Sequence, residues 1–596
     1  MSDPVAGRLT AEERDRFVLG LYEQLLEIEQ RLIPTGLHVF GQAPSSRQAA
    51  DLLRMVASFD RPELCIRSLP GLVAAGLGFP DYPELLRESA ASEVRLQQRE
   101  KVEAVVREAI AVFLGTASGT GGTESAAGYL AREASVSTDA ARAVFRLLGS
   151  VRRQLSVNGE LDALMRALRG EYIEPGPGAD IVQNPGILPT GRNTHAVNPY
   201  GVPSVSAWQK SETIVDLLLE RHLREQGRYP EAIGMVLWGM DNIKTQGEGV
   251  AQALRLLGVE PVRDAMNRVS DVAIIPWETL GRPRMDVVMS VSGIFRDLFG
   301  ATMELLDKAV RCVAALDEPP ECNYLRKHVR ERLAAGAPIE DAAARVFSNA
   351  AGNYGTHVNF LVLESQWNDA REIGDLFMMR KCFAYGRKRE GVEARDLLEE
   401  ALSRVEATYQ NIDNTEIGIT DVDHYFEYLG GLSQAVEQRA RQKPRIYLSD
   451  TLAPAAKMRT LEETVRLEVR AKILNPKWYE GMLRHGYRGV AEIENHVANT
   501  FGWSATAGAV DGWVYDEIAA TFVLEESMLQ RLRTLNPHAA RNLVGRLLEA
   551  QHRGFWQADP AVIERLHDTF AELEDHLEGV GPEAVGAAAR DDFEVS

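Results

Sequence analysis

Two short apolar runs, each followed by a turn and a helix-like stretch, constrain the fold of this chain more than any other feature. The first run is Ile233–Trp238 and the second is Met285–Val291. Strand–helix alternation of this kind is typical of a parallel α/β unit, whose ligands bind at the loops that follow the strands. The sequence therefore predicts a ligand site at Gly239–Thr245 and Ser292–Asp297.

Long stretches with helical patterning flank the two runs, and 596 residues are too many for a single core. The predicted fold class is mixed α/β, predominantly helical and multidomain, with a small parallel α/β unit between two helical regions. We predict a helical domain at 1–172, a Pro/Gly-rich linker or cavity wall at 173–203, the α/β unit at 204–300, a mainly helical region at 301–580 and a disordered acidic tail at 581–596.

Several local predictions accompany this division. A capping-box pattern and apolar spacing predict an amphipathic helix over 9–32. The Gly/Ser/Thr-rich stretch 115–125 lacks the Lys-Ser/Thr ending of a phosphate-binding P-loop, so we expect a flexible loop there. Further loops are predicted near 348–357, 411–424 and 444–456.

The composition excludes several functional classes. Acidic side chains outnumber basic ones by 86 to 66, and this argues against nucleic acid as a partner. No uncharged apolar run approaches the roughly 20 residues of a membrane helix, and the first residues lack a signal-peptide core, so the prediction is a cytoplasmic protein that does not span a membrane. The four cysteines are scattered, and no HExxH, GxSxG or Walker A motif is present.

The densest polar-aromatic cluster runs from Asp421 to Glu427 and includes Asp423 and His424. His424 and Glu427 are three residues apart, so they share a face if this turn is helical. A neutral imidazole beside a carboxylate can hold a divalent metal or pass protons. The same pattern is also typical of a capped helix start with solvated charges.

Four other clusters have both a functional and a structural interpretation. The cluster around Trp238, Asp241 and Lys244 is either a ligand wall or a helix cap, and the one around Arg296 is either an anion-facing arginine or an ion pair. The cluster around His357 is either a close backbone approach or a turn, and the one around Trp503 is either an aromatic pocket or a packed helix junction. The candidate binding residues in these clusters are Trp238, Asp241, Lys244, Arg296, His357 and Trp503.

Longer strings carry a family resemblance. They are GLHVFGQAPS (36–45), EPGPGAD…NPGILPTGRNTHAVNP (174–199), LWGMDNIKTQGE (237–248), GRPRMDVVMSVSGIFRDLF (281–299), RVFSNAAGNYG (345–355), DVDHYFEYLGGL (421–432), NPKWYEGMLRHGYRG (475–489) and FGWSATAGAVDGWVYDE (501–517). In this order they resemble the large porphyrin-binding (H) subunit of magnesium chelatase and its neighbour, the CobN-type large subunit of cobaltochelatase. His195 favours the magnesium branch, whereas Gly430–Leu432 resembles the cobalt branch.

The resemblance implies a function. The family's large subunit binds protoporphyrin IX in an enclosed cavity and inserts Mg²⁺, in a ligase reaction of chlorophyll and bacteriochlorophyll biosynthesis in photosynthetic cells, while AAA+ motor subunits hydrolyse ATP. Only the C-terminal half of that subunit is matched, so the chain is the second half of a split subunit with a separate N-terminal-half polypeptide as partner, a truncated paralogue or an expressed fragment, and we expect it to be inactive alone. A cobaltochelatase fragment of cobalamin biosynthesis and a non-catalytic tetrapyrrole-binding protein are the alternatives.

The resemblance also singles out site residues. It implies that His424 is a proton acceptor or metal ligand, and that Glu427 is its carboxylate partner, at a position where the family has aspartate. Asp423 is the third predicted catalytic residue. The predicted metal contacts are His424 and Glu427, although Mg²⁺ prefers oxygen ligands in octahedral geometry.

Overall fold

The structure is a computed structural model that describes residues 39–89, 92–115, 120–178, 181–182, 184–194, 198–412, 414, 417–451 and 455–580, with positions 14, 18–22, 25 and 28. The helix predicted over 9–32 lies mostly outside these residues, and its described positions are helical. His195 and the tail predicted at 581–596 also lie outside them.

The N-terminal region is helical, as predicted, and has its own hydrophobic core. Its helices are α1 (Ser46–Ala57), α2 (Leu69–Gly76), α3 (Tyr82–Glu88), α4 (Glu93–Gly115), α5 (Thr120–Ala134), α6 (Thr138–Leu155) and α7 (Glu160–Leu168), with a 3₁₀ turn at Pro62–Leu64. The loop prediction for 115–125 was wrong from Thr120 onward. Helix α5 begins there because Ala126, Ala127 and Leu130 on its apolar face are buried in this core.

The strands occupy the middle of the chain. They are β1 (Pro175–Gly176), β2 (Asn193–Thr194), β3 (Ala232–Leu237), β4 (Val259–Arg263), β5 (Val269–Ile274), β6 (Asp286–Val291), β7 (Val346–Ser348), β8 (Phe383–Gly386), β9 (Arg389–Glu393), β10 (Ala407–Ile412), β11 (Arg445–Asp450) and β12 (Lys457–Thr460). Strands β1 and β2 pair within the predicted linker, and β4 and β5 form an antiparallel hairpin.

The other strands form one eight-stranded sheet in the described part of the chain, in the order β12-β11-β10-β3-β6-β7-β8-β9. Neighbours from β11 to β7 are parallel, whereas β12, β8 and β9 are antiparallel to their neighbours. The predicted fold class is confirmed.

The predicted limits of the α/β unit differ from the structure, because residues 204–300 supply only β3 and β6 to this sheet. The predicted loop near 444–456 contains β11. Strand β10 (ATYQNI) is buried along its whole length although half of its residues are polar, so apolar patterning alone does not reveal it.

Helices cover both faces of the sheet. They are α8 (Val205–Gln226), α9 (Gly239–Lys244), α10 (Glu248–Leu257), α11 (Trp277–Leu280), α12 (Gly293–Leu298), α13 (Gly300–Ala314), α14 (Tyr324–Ala334), α15 (Ile339–Ala342), α16 (Val358–Leu363), α17 (Ala370–Lys381), α18 (Arg395–Leu402), α19 (Gly431–Ala440), α20 (Leu461–Ala471), α21 (Pro476–Leu483), α22 (Tyr487–Ala507), α23 (Gly512–Ala519), α24 (Glu526–Leu535), α25 (Pro537–His552) and α26 (Pro560–Glu578), with 3₁₀ turns at Pro185–Ile187 and Pro199–Gly201 and π-helical turns at Phe426–Gly430 and Ala520–Leu524. Within the described ranges, every helix is too short or too polar to cross a membrane.

The two faces of the sheet carry separate cores. Side chains alternate along β3, so Ile233, Met235 and Leu237 enter one core, while Ala232 and Val236 enter the other. The first core is covered by α8, α10, α13 and α14, and the second by α17, α19 and the C-terminal helices. Burial on both faces explains why β3 and β6 are almost continuously apolar.

The strand order defines a switch point between β3 and β10. After β3 the chain continues to β6 on one side, and after β10 it continues to β11 on the other. In open α/β sheets the connections diverge at such a point and leave a crevice at the carboxyl ends of the strands, where ligands bind. The fold therefore places a crevice beside Trp238 and the loop that follows β10.

The π-helical turn Phe426–Gly430 lies directly against α22. A Cβ atom on Gly430 would lie 2.2 Å from Thr506 Oγ1, and a Cβ on Gly502 would lie 2.6 Å from the Phe426 ring. Glycine at both positions lets the two backbones approach closely. Helix α19 continues from this turn without a break.

Candidate functional site

The site is built from the segments that follow four parallel strands: 238–245 after β3, 292–297 after β6, 349–357 after β7 and 417–424 after β10. The first two segments were predicted as ligand loops, and the structure shows them mostly as the short helices α9 and α12. They are adjacent, because the Gly239 amide donates to Ser292 Oγ at 3.0 Å.

His424 and Glu427 form the central pair, as their spacing predicted. His424 Nδ1 lies 2.9 Å from Glu427 Oε2, and the His424 side chain is 59% exposed. The hydrogen bond with Glu427 is the main reason why the pKa of His424 is raised above its ordinary value. Among the described residues, none makes a hydrogen bond to His424 Nε2, so this nitrogen is open to a ligand.

Glu427 is buried, and its second oxygen is held by the loop after β7. Oε1 accepts hydrogen bonds from the backbone amides of Thr356 and His357, the latter at 2.9 Å. Burial alone would raise the pKa of Glu427, but the hydrogen bonds from His424 and the two amides outweigh it and lower that pKa. Glu427 is therefore an anion that orients His424 and stabilises its protonated form.

Asp423 is the second carboxylate near His424 Nδ1. Its Oδ1 is 3.6 Å from His424 Nδ1, and its Oδ2 accepts from Asn359 Nδ2 at 2.6 Å. In the part of the chain that the structure describes, no group of three or more His, Cys, Asp or Glu side chains could hold a metal ion. Because both Glu427 oxygens are engaged within the chain, this geometry suits a proton acceptor better than a preformed metal site.

Trp238 forms the wall of the crevice next to His424. Its ring centroid lies 6.0 Å from that of His424 and 4.2 Å from that of Tyr428. Its buried Nε1 has no hydrogen-bond partner among the described residues. The wall is therefore aromatic and adjoins an open imidazole.

Exposed apolar side chains continue from this wall, and we call Met240, Ile294, Tyr354 and Phe360 the apolar rim. A Cβ on Gly239 would lie 2.5 Å from the Ile294 side chain, and one on Gly293 would lie 2.5 Å from the Tyr354 ring. His357 links the rim to the central pair, because its ring packs edge-on against Phe360, with 5.6 Å between centroids, and its amide binds Glu427. The rim therefore offers apolar and aromatic side chains to solvent next to the Trp238 wall.

Lys381 is a buried cation beneath the site that the sequence did not single out. Its Nζ donates to Val291 O at 2.8 Å and to Asn349 Oδ1 at 2.9 Å, and it lies 4.3 Å from the centroid of the Tyr428 ring. Burial lowers its pKa to about 7.

Asn349 connects Lys381 to the central pair. Its Nδ2 donates to Gly355 O at 2.6 Å, directly before the two amides that bind Glu427. A continuous set of contacts therefore runs from Lys381 through the loop 349–357 to Glu427 and His424.

The other predicted binding residues have structural partners. Arg296 Nη1 donates to the carbonyl oxygens of Ala350 at 2.7 Å and Asn353 at 3.0 Å, and its Nε donates to Asp297 at 2.7 Å. Arg296 thus forms the ion pair that was its structural interpretation, and it also fixes the loop after β7. A ligand contact by Arg296 stays a prediction.

Asp241 and Lys244 belong to α9 at the carboxyl end of β3. Asp241 is buried and accepts from Asn411 Nδ2 at 3.3 Å. Trp503 is fully buried in α22, and its Nε1 donates to Ile419 O at 2.9 Å. Trp503 therefore supports the loop that leads to His424 from the protein interior, in the packed junction that was its structural interpretation.

The sequence matches the family model described as CobN/Magnesium Chelatase over residues 4–563. The chain belongs to the CobN/magnesium chelatase family. The recognition made from the sequence strings is therefore confirmed.

Individual relatives support the assignment of the chain to this family. The chain is 43% identical to the rice (Oryza sativa subsp. japonica) chloroplastic magnesium-chelatase subunit ChlH, over 96% of this chain and 43% of the relative. It is 38% identical to the magnesium-chelatase H subunit of Chlorobaculum parvum, over 95% of this chain and 45% of the relative. The solved structure of the catalytic subunit of cobaltochelatase from Mycobacterium tuberculosis superposes with a TM-score of 0.84 at 33% identity, over 95% of this chain and 47% of that one. The chain spans about half the length of these relatives.

Sequence reasoning missed several residues of the site in this family member. Thr356 and Tyr428 directly follow or lie within the family strings, but nothing marked them as contacts of Glu427 and Trp238. Lys381 and its neighbour Arg380 lie in none of those strings, and a basic residue in the last turn of a helix such as α17 is ordinarily a solvated one. Only the position of α17 beneath the loop after β7 reveals them.

Proposed function

We propose that this chain is the porphyrin-binding catalytic part of a magnesium chelatase, and that it inserts Mg²⁺ into protoporphyrin IX. The observation that carries the proposal is the His424–Glu427 pair, whose open Nε2 adjoins the Trp238 wall and the apolar rim at the switch point of the sheet. Family membership supports it, because the named relatives include magnesium-chelatase subunits.

The pair can supply the base that insertion requires. A porphyrin loses two pyrrole N–H protons as the dication enters, so the charge of the complex is unchanged. Neutral His424 accepts a proton at Nε2, and the Glu427 anion stabilises the resulting imidazolium. Because the imidazole is largely exposed, it releases this proton to solvent before it accepts the second.

The macrocycle is a flat apolar ring, and the Trp238 wall and the apolar rim offer it a matching surface. In our proposal the ring lies on this surface with its pyrrole nitrogens toward His424. Mg²⁺ is the second substrate, and Asp423 beside His424 supplies an oxygen ligand of the kind that this ion prefers.

The rest of the proposed system lies outside this chain. We propose that the remaining groups of the site come from the portion of the relatives' length that this chain does not span, and that AAA+ partner subunits hydrolyse ATP to drive insertion. The proposed setting is chlorophyll or bacteriochlorophyll biosynthesis in the cytoplasm, and the reaction is a ligase reaction that the chain does not perform alone.

Cobalt is the second candidate metal. The observation that favours it is the likeness to the solved cobaltochelatase structure, at a TM-score of 0.84. The higher identity to the rice magnesium-chelatase subunit supports magnesium as the first candidate. Insertion assays that offer Mg²⁺ and Co²⁺ separately distinguish the two.

The test combines binding and insertion. Protoporphyrin IX is titrated into the full chain and into the His424→Ala variant, with quenching of protein fluorescence as the readout. Insertion is then measured with the chelatase partners added. We expect saturable binding by both proteins, and a loss of insertion of about 100-fold or more in the variant, the usual contribution of a general base.

The control is His552→Ala, which alters an exposed histidine at the end of α25. It should leave both binding and insertion unchanged. A folded wild-type chain that binds no porphyrin, or a His424→Ala variant that inserts metal at the wild-type rate, would contradict the proposal.

A further inference from the structure

Arg380 is a half-buried arginine at the margin of the apolar rim. Its Nη2 donates to Tyr354 O at 3.1 Å and lies 3.2 Å from His357 Nε2. Its buried Nε has no hydrogen-bond partner among the described residues. Within the same described ranges, Arg380 forms no ion pair with a carboxylate, although acidic side chains outnumber basic ones in this chain by 86 to 66.

The surroundings of Arg380 favour an anion. Arg380, Lys381 and Arg296 are three cations near the Tyr428 ring, and Asp297 and Glu427 are the carboxylates that face them. Arg296 is already paired with Asp297 at 2.7 Å, and Glu427 is engaged by His424. Lys381 and Arg380 are left without a carboxylate partner among the described residues, and of these two only Arg380 reaches the surface.

His357 fixes the orientation of this arginine. A guanidinium has only donors, so Arg380 Nη2 donates and His357 Nε2 accepts. His357 itself has a left-handed backbone with φ of 62°, an uncommon conformation for a residue other than glycine. Such conformations cluster at binding sites, where the surrounding structure holds them in place.

We propose that Arg380 binds a carboxylate group carried on the edge of the flat apolar ligand. This inference rests on the proposed function, and it assigns to Arg380 a propionate of the porphyrin. The ring covers Tyr354 and Phe360, and the propionate reaches the guanidinium at their margin. Nη2 is already engaged, so Nη1 donates to the carboxylate, and an arginine suits this role because it keeps its positive charge.

The alternative role of Arg380 is structural, since it also holds the loop after β7 through the carbonyl of Tyr354. The two roles predict different responses to the chemistry of the ligand. A structural arginine affects all porphyrins equally, whereas a carboxylate-binding arginine affects only those with free carboxylates.

The experiment compares protoporphyrin IX with its dimethyl ester, which has the same ring and no free carboxylate. Fluorescence-quenching titrations are made on the full chain as wild type, Arg380→Met and Arg380→Lys. We expect Arg380→Met to weaken binding of the acid about tenfold or more and to leave binding of the ester within about twofold. Arg380→Lys should retain part of the preference for the acid.

Arg371→Met is the matched control, because Arg371 lies in the same helix, is largely exposed and pairs with Asp369. It should change neither affinity. Equal losses for acid and ester in Arg380→Met, or no loss for either, would overturn the assignment of Arg380 while the proposed function stands. A wild-type chain that binds neither porphyrin would overturn the proposed function itself, and this inference with it.

Discussion

The parallel strands of the central sheet begin at one side of the sheet, the amino edge, and end at the other, the carboxyl edge. A histidine lies against carboxylates at each of these edges, but the surroundings of the two histidines differ. At the amino edge, His328 Nδ1 lies 2.8 Å from Asp286 and Nε2 lies 3.2 Å from Glu231, and the side chain is 2% exposed. Arg345 binds both oxygens of Asp286, and Lys327 binds Glu231. Every nitrogen of this imidazole is engaged, so it can take no ligand.

At the carboxyl edge, His424 has one nitrogen engaged by Glu427 and the other open, and its side chain is 59% exposed. The residue types at the two edges are the same. The difference is that the carboxyl edge of a parallel sheet faces a crevice, whereas the amino edge is closed by ion pairs. The described structure therefore leaves one nitrogen of His424 open to a ligand and neither nitrogen of His328.

The comparison is tested most strongly at Arg345. Arg345→Met should destabilise the protein by about 3–5 kcal/mol, because it leaves the buried Asp286 carboxylate without its bidentate partner. Urea unfolding measures this loss, with Arg371→Met as an exposed control. Porphyrin affinity of the folded variant should not change. A stability loss near zero would mean that the amino edge is not held by this ion cluster.

The second test replaces each of the two histidines by alanine in a separate variant. His328→Ala should destabilise by about 2–3 kcal/mol, because two buried carboxylates lose a partner. His424→Ala should cost less, about 1 kcal/mol, because the buried Glu427 loses one partner but keeps the amides of Thr356 and His357. Thermal unfolding of both variants gives the comparison. Similar losses at the two positions would remove the distinction between a structural and a functional edge.

Lys381 tests whether the carboxyl edge depends on its buried cation. Lys381→Met should destabilise by about 1–2 kcal/mol, because Val291 O and Asn349 Oδ1 lose their donor. Porphyrin affinity should fall as well, since the loop 349–357 loses an anchor. Lys388→Met is the control, because Lys388 is exposed and pairs with Glu340. An unchanged affinity in Lys381→Met would separate Lys381 from the site.

The smallest expected effect concerns pH. The hydrogen bond with Glu427 raises the pKa of His424, so this pair adds stability that is complete below the ordinary histidine pKa and is lost as pH rises through the raised value. Glu427→Gln should lower the pKa of His424, as measured by NMR titration of its ring protons. His552 serves as an internal reference in the same spectra. An unchanged pKa would show that Glu427 does not control His424.

Much of the site could be predicted from local patterns. The runs that became β3 and β6 are apolar because both of their faces are buried, and strand–helix alternation correctly predicted that each is a strand followed by a turn and a helix. His424 and Glu427 are three residues apart in one helical turn, so their contact follows from spacing alone.

The rest depends on contacts between distant parts of the chain. Lys381 meets Asn349 across 32 residues, and Thr356 meets Glu427 across 71, and no local pattern encodes either contact. Strands β10 and β11 were missed because buried polar residues, such as Gln410 and Asn411, break their apolar pattern. The helix at Thr120 was missed because a Gly/Ser/Thr-rich sequence becomes helical only when its apolar side finds a core.

The π-helical turn at Phe426–Gly430 has a consequence for how this family can change in length. A π turn holds one residue more than an α turn, so this segment behaves as a one-residue insertion within a helix. Deleting Leu429 would restore regular winding and rotate the residues before it by about 100° relative to α19. Glu427 would then turn away from the amides of Thr356 and His357, and His424 away from Trp238. The length of this segment is therefore as constrained as its residues, because a single codon lost at Leu429 would misalign the His424–Glu427 pair while every side chain of the site remained present.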